Sequence, residues 1–244
     1  SRPFGYPLTI HQLISKKGFS HYTQNMTFSE WNGQFILMKK NFEDSIRYDV
    51  MVNDSLNEGK VLSENVDTLW LDSNQVQNGL NRALLLMYMP DGDTFKVYKD
   101  FFKPSPNAVL LSEMPFASSE QSWGQLRLNQ TVEGRPFSLD GESFRYGLGV
   151  HAKSKNTFDL NGSFSTFEAM AGLDDESACG DGASFVVLAD GRELFRSLKM
   201  YSRDKQKVSL PMQGVRRLEL VVEEGDNIDC DHAVWANAWL RRVE

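Results

Sequence analysis

Apolar and polar residues alternate along most of this chain, and a period of two is the pattern of β-strands that bury one face. Within residues 46–52, every second side chain is apolar or aromatic. Two apolar runs around a central turn predict a β-hairpin over residues 83–102. A short helix is predicted over residues 9–18. The first hundred residues are therefore predicted to form a small, mostly β region.

The segment at residues 103–108 contains two prolines, which lack the backbone N–H that a β-ladder needs. It favours an extended link between two modules. The predicted domains are a small, mostly β domain at residues 1–105, whose function the sequence does not indicate, and a second domain at residues 109–244.

Turn signals separate short apolar runs at regular intervals in the second half. The pair Asp190 and Gly191 lies between two such runs and predicts a hairpin. Within residues 217–223 the apolar side chains alternate with mostly charged ones, so one face is expected to pack and the other to meet solvent. Many short strands with these turns predict a mainly β fold, in which a jelly-roll-type β-sandwich follows the small N-terminal region.

The last stretch of the chain, "NIDCDHAVWANAWL" at residues 227–240, combines a loop-like and a strand-like segment. In residues 235–240 the side chains alternate between two predicted faces, which indicates a closing strand that pairs near the start of the second domain. Strict alternation places Ala236, Ala238 and Leu240 on one face, opposite the two tryptophans. Residues 227–232, with their acids, cysteine and histidine, are not needed for a strand and are predicted to form an ordered functional loop.

Composition excludes several classes of function. The formal net charge of −7 and the absence of a Lys and Arg cluster argue against a nucleic-acid partner. No apolar run is long enough to span a membrane. The sequence contains no GxSxG, HExxH, P-loop or GxGxxG motif, so no catalytic class is indicated. Two cysteines are present, which are either unrelated buried thiols or a disulfide.

Residues of about 109–243 resemble the NPCBM family, the novel putative carbohydrate-binding module that is also grouped as family 51 carbohydrate-binding modules. The matching segments occur in the expected order: "LSEMPFASSEQSWG", "FSLDGESFRYGLGVHAKS", "FDLNGSFSTFEAMAGLDD", "GASFVVLADGRELFRS", "GVRRLELVVEEGDN" and "CDHAVWANAWL". The resemblance implies a β-sandwich that binds glycans, often galactose-containing ones, without catalysis. It also implies a secreted, periplasmic or cell-surface protein and a catalytic domain, such as a glycoside hydrolase, in the same polypeptide or complex.

The resemblance and the loop positions of the two cysteines favour a disulfide between Cys179 and Cys230. This bond would gather seven carboxylates of two acidic segments, which need compensation if they lie close together. Two explanations stay open: a solvated acidic rim, or a Ca²⁺ ion held by oxygen ligands. The predicted metal ligands are Asp174, Asp229 and Asp231.

Recognition of a sugar needs an apolar platform and polar groups for its hydroxyls. Trp123 and Trp235 are either platforms or core residues, and His151 and His232 either bind hydroxyls or hydrogen-bond within the scaffold. The remaining predicted carbohydrate-binding residues are Asp174, Asp175 and Asp231. The interpretation is a non-catalytic, glycan-binding accessory module. The alternatives are a structural accessory region of a larger glycoside hydrolase, or an enzyme with an unrecognised site in the N-terminal region.

Overall fold

A computed structural model of the protein describes residues 8–9, 26–31, 34–39, 46–53, 55–62, 66–70, 75–88, 92, 94–177 and 179–243. The short helix predicted over residues 9–18 lies outside these residues, apart from Thr9, which is in a strand. Among the described residues, no helix has the length and apolar character that a membrane crossing requires. The chain divides into two compact units, one of residues 1–77 and 81–101, the other of residues 78–80 and 102–244. The autonomy of residues 1–105 as a domain stays a prediction.

Two four-stranded antiparallel sheets account for the strands of the N-terminal part. The orders are β1-β2-β3-β6 and β5-β4-β7-β8. Tyr48, Val50 and Val52 share the buried face of β4 and are at most 2% exposed, so the alternation predicted there is confirmed. The hairpin predicted over residues 83–102 is present as β7 and β8, which are neighbours in their sheet. The strands are β1 (Leu8–Thr9), β2 (Met26–Trp31), β3 (Gln34–Lys39), β4 (Ile46–Val52), β5 (Ser55–Leu62), β6 (Val66–Trp70), β7 (Gly79–Tyr88) and β8 (Thr94–Lys103).

The second unit is a β-sandwich, as the sequence predicts. One sheet has five strands in the order β10-β15-β20-β17-β18. The other has the order β11-β14-β21-β16-β19, with β9 also paired to β21. A separate hairpin is formed by β12 and β13. The strands are β9 (Ala108–Leu110), β10 (Ser118–Gln121), β11 (Arg127–Leu128), β12 (Phe137–Leu139), β13 (Glu142–Phe144), β14 (Gly147–His151), β15 (Ser154–Asp159), β16 (Phe164–Leu173), β17 (Ser184–Ala189), β18 (Arg192–Arg196), β19 (Lys205–Pro211), β20 (Arg217–Glu223) and β21 (His232–Arg242), with one 3-10 turn at Leu111–Glu113.

The main core lies between the two sheets. Leu218, Leu220 and Val222 of β20 are fully buried there, as the alternation of that strand predicts. From the other sheet, Trp235 meets the ring of Phe185 edge-on, with the ring centroids 5.1 Å apart. The hairpin predicted at Asp190 and Gly191 joins β17 to β18, and both residues have positive φ, as a type I′ turn requires.

The outer face of the larger sheet is covered by the β12–β13 hairpin. Phe137, Leu139 and Phe144 pack there against Val234 and Ala236 of β21. The apolar side chains on both faces of β21 are therefore buried, which explains the nearly continuous apolar character of its sequence.

The predicted closing strand is confirmed, because Trp239, Leu240 and Arg241 of β21 pair with β9 at the start of the unit. The prediction that Ala236, Ala238 and Leu240 share one face of this strand is wrong. The register with β16 shifts between Ala236 and Trp239, and Asn237 has a φ of 50° there. A β-bulge of this kind inserts one extra residue and reverses the faces. Ala238 and Leu240 consequently share the main core with Trp235, while Ala236 lies on the opposite face.

Replacement of Gly147 by alanine is expected to destabilise the sandwich by at least about 3 kcal/mol. Gly147 has a φ of 141°, and an added Cβ would collide with the backbone carbonyl oxygen of Trp235. The matched control is Gly141→Ala, where φ is 73° and an added Cβ meets nothing within 4 Å. This control is expected to cost about 1 kcal/mol, from backbone strain alone. Urea unfolding measures both free energies, and equal losses would contradict the steric role of Gly147.

Candidate functional site

A disulfide fastens two loops at one end of the sandwich. Cys179 and Cys230 are bonded, as predicted, across a sequence separation of 51 residues. Cys179 lies in the loop that follows β16, and Cys230 lies two residues before the start of β21. The same loops are joined through Ser177, whose hydroxyl donates to the His232 carbonyl oxygen and accepts from the His232 N–H, both at 3.1 Å. The start of β21 is therefore held in a fixed position.

Three of the predicted site residues come together beside this disulfide. His151 ends β14 and lies directly opposite His232 in the antiparallel pairing of β14 with β21. The Trp123 ring is parallel to the His232 ring within 3°, with the centroids 5.9 Å apart. The His151 ring lies 5.1 Å from Trp123 and 5.4 Å from His232. Trp123 is 47% exposed, whereas His151 is 3% exposed and the side chain of His232 is 15% exposed, so the indole is the most accessible ring of the cluster.

The loop that carries Trp123 is fixed by polar contacts of its neighbours. The Gln121 side-chain amide donates to the Trp123 carbonyl oxygen at 2.6 Å. The Ser122 hydroxyl donates to the Ala152 carbonyl oxygen and accepts from the Lys153 N–H. These bonds tie the loop after β10 to the residues that follow β14.

Each imidazole has one ring nitrogen bound within the protein. Nδ1 of His151 donates to the Ala152 carbonyl oxygen. Nδ1 of His232 lies 3.0 Å from Oε1 of Glu176, whose other oxygen lies 3.4 Å from the Arg135 guanidinium. Burial lowers the pKa of His151, and the nearby His232 lowers it further. The Ala152 carbonyl opposes this shift but does not reverse it, so the neutral form of His151 is favoured near pH 7.

Asp174 and Asp175, which were predicted to bind carbohydrate, hydrogen-bond to other parts of the protein. Asp175 accepts hydrogen bonds from the Ser138 hydroxyl and from the backbone N–H groups of Asp140 and Gly141. Asp174 is 3% exposed and accepts from the backbone N–H groups of Ser138 and Glu176. Burial raises the pKa of Asp174 to about 6, although these two N–H groups lower it. Both carboxylates therefore fasten the β12–β13 hairpin to the loop after β16.

Asp231 is fully buried, and neither of its carboxylate oxygens makes a well-formed hydrogen bond. Burial raises its pKa to about 6, and the negative charge of Asp181 acts in the same direction. The Gly182 N–H and the ammonium group of Lys199 oppose the shift. Lys199 itself lies 3.6 Å from Asp181, so one cation faces both acids.

The predicted metal ligands are not brought together. Asp229 is exposed, whereas Asp174 is committed to the hairpin. Within the part of the chain that the structure describes, no three or more His, Cys, Asp or Glu side chains are arranged to hold a metal ion. Calcium binding by this chain stays a prediction, without the ligand set expected from the sequence.

Trp235 does not belong to the candidate site, because it is fully buried and its ring packs in the main core. Sequence reasoning placed Glu176 among the seven carboxylates that the disulfide gathers, but it did not identify Glu176 as the partner of the His232 ring or Arg135 as the partner of Glu176. The acidic segment that contains Glu176 was visible in the sequence, but only the disulfide pairing places this residue beside the start of β21.

Comparison with known proteins shows what the chain resembles. The NPCBM/NEW2 domain family model matches residues 107–241, more than half of the chain. A protein of Renibacterium salmoninarum that carries the name of an endo-alpha-N-acetylgalactosaminidase is 30% identical over 145 residues, which are 56% of this chain and 10% of that protein. The alpha-1,3-galactosidase B of Akkermansia muciniphila is 29% identical over 147 residues, 56% of this chain and 18% of that protein. The chain therefore spans less than a fifth of either curated relative.

Among solved structures, that of CBM51 from Clostridium perfringens GH95 in complex with methyl-galactose has a TM-score of 0.52 and 31% sequence identity to this chain. It covers 55% of this chain and 99% of its own length. The likeness therefore concerns almost the full length of that solved module and about half of this chain.

Replacement of Asp231 by asparagine is expected to change how stability depends on pH. The carboxyl has a pKa of about 6 in the folded protein, compared with the ordinary aspartate pKa of 3.8. The folded state therefore binds the proton more tightly, and this stabilisation is complete below pH 3.8 and is lost as pH rises through about 6. Between about pH 4 and pH 7, wild type should lose about 2 kcal/mol relative to Asp231→Asn. Urea unfolding at both pH values measures this difference, and parallel pH dependences would contradict the buried position of Asp231.

Proposed function

We propose that this chain, which belongs to the NPCBM/NEW2 family, binds a galactose-containing glycan without catalysis, at the surface formed by Trp123, His151 and His232. The observation that carries this proposal is the exposed side chain of Trp123, whose ring lies parallel to that of His232 and against that of His151. A solved relative that binds methyl-galactose and is 31% identical supports the ligand class.

The chemistry of the three side chains suits a sugar ring. The exposed indole of Trp123 offers an apolar face for the C–H groups of the sugar, and aromatic platforms of this kind lose little conformational entropy on binding. The side chain of His232 is 15% exposed and supplies a hydrogen-bonding nitrogen beside this platform. His151 is 3% exposed, and its ring lies against those of Trp123 and His232. Because both rings are fixed by partners within the protein, the polar groups are positioned before a ligand arrives.

We further propose that the chain acts as an accessory module whose catalytic domain lies in the same polypeptide or complex. The relatives carry the names of glycosidases, and their similarity to this chain is confined to a small part of their length. A secreted, periplasmic or cell-surface location fits the Cys179–Cys230 disulfide, because such bonds persist in oxidising compartments.

Substitution of Trp123 by alanine is expected to weaken binding of methyl galactoside by at least about tenfold, because the stacking platform is removed. The matched control is Tyr201→Ala, which removes an aromatic ring that is 51% exposed and outside the cluster. Isothermal titration calorimetry of both variants and wild type measures the affinities, and thermal unfolding checks the fold. Equal affinities of Trp123→Ala and wild type would place the sugar site elsewhere.

The intact chain is expected to bind galactose-terminated glycans on an array and to release no sugar from them. A glycosidase needs two carboxyl groups that flank the scissile bond, whereas the proposed site is built on an indole and two imidazoles. Bound glycans are detected by fluorescence, and chromatography of the supernatant detects any released sugar. Release of sugar would favour an enzyme with its site in the N-terminal region. Absence of binding to every glycan would favour a structural accessory region.

A further inference from the structure

The protonation pattern of the two site imidazoles follows from their partners. A carbonyl oxygen and a carboxylate oxygen can only accept, so the ring nitrogen facing each of them is an N–H donor. This assigns the proton to Nδ1 in His151, which faces the Ala152 carbonyl, and in His232, which faces Glu176. In a neutral imidazole the other nitrogen, Nε2, then carries a lone pair. No other described residue hydrogen-bonds to Nε2 of either ring.

Glu176 is held more firmly than a surface glutamate. Its side chain is only 9% exposed, and the Arg135 guanidinium lies 3.4 Å from its second oxygen. Its own loop is fastened to the start of β21 on both sides: the Asp174 N–H donates to the His232 carbonyl oxygen at 2.9 Å, and Cys179 is bonded to Cys230. The carboxylate of Glu176 therefore has a fixed position relative to His232.

We propose that Glu176 is a positioning and specificity-determining residue, which makes Nε2 of His232 a hydrogen-bond acceptor, so that the site selects sugars by a hydroxyl group that donates. His151 has the same tautomer through its bond to a backbone carbonyl, but it is 3% exposed, so the selection is assigned to His232. A ligand that offers an ether or a carbonyl oxygen at this position meets a lone pair and is rejected, because neither group has a proton to donate. This assignment rests on the proposed function of the site, but the state of His232 is measured without any ligand.

The test is imidazole ¹⁵N NMR of the intact chain at about pH 7.5, combined with calorimetry of methyl galactoside. The chain has 4 histidines, and the signal missing from His232→Asn identifies His232. Wild type is expected to show the Nδ1–H tautomer at His232. Glu176→Met, which has similar length but no carboxylate, is expected to shift it toward Nε2–H and to weaken binding by about tenfold. Glu176→Gln keeps a side-chain carbonyl that accepts the same proton, and is expected to retain the tautomer and most of the affinity.

A purely structural role of Glu176 would weaken binding without moving the tautomer. The matched control is Glu219→Met, because Glu219 is also largely buried and ion-paired, to Lys155 at 2.6 Å, but lies in the other sheet. It should leave the His232 signals and the affinity unchanged. An Nε2–H or doubly protonated His232 in wild type, or an unchanged tautomer in Glu176→Met, overturns the proposal. A wild-type Nδ1–H tautomer without affinity for methyl galactoside contradicts the proposed function of the site and supports the positioning role of Glu176.

Discussion

The second unit depends on the position of one strand, β21. It pairs with β14, β16 and β9, and the side chains of its two faces are buried in different apolar clusters. The bulge at Asn237 reverses the faces within the strand, so Trp235 and Leu240 reach the same core. The first residue of β21 is His232. The pairing of β21 with β14 therefore also places the imidazole of His232 opposite His151, at one end of the sandwich.

The loops at this end owe their order to polar contacts and to the disulfide. Asp175 receives three hydrogen bonds from the β12–β13 hairpin, and Asp174 receives two from backbone N–H groups. A carboxylate that accepts several such bonds serves as a fastening, in the same way as a helix cap satisfies unpaired N–H groups. Asp174 and Asp175 are therefore structural, whereas the carboxylate of Glu176 contacts the ring of His232.

The outer face of the five-stranded sheet carries ion pairs, whereas the outer face of the other sheet is covered by the apolar side chains of the β12–β13 hairpin. Ion pairs follow it from strand to strand, with Lys155 and Glu219 at 2.6 Å and Arg217 and Asp159 at 3.2 Å. Partly exposed pairs of this kind add little stability, but they keep the face hydrated. Trp123, which is 47% exposed, lies in the loop that follows β10 of the same sheet.

The sequence by itself determined the features that depend on local order. Alternation identified the buried faces of β4 and β20, the pair Asp190 and Gly191 identified its turn, and the order of the quoted segments identified the family. The predictions of the buried faces and of the turn succeed because the period of a strand and the φ preference of a turn are properties of a few adjacent residues.

Only the tertiary structure decided what each candidate side chain does. Trp123 and Trp235 are alike in sequence terms, yet one is 47% exposed and the other is fully buried. The difference arises from contacts between strands that are far apart in the chain, which no local pattern records. The same reason separates Glu176 from its acidic neighbours, because the partner of each carboxylate is set by long-range pairing. Residue type indicated which side chains were candidates for the site. The packing of β14, β21 and the disulfide-linked loops determined which of these side chains lie together.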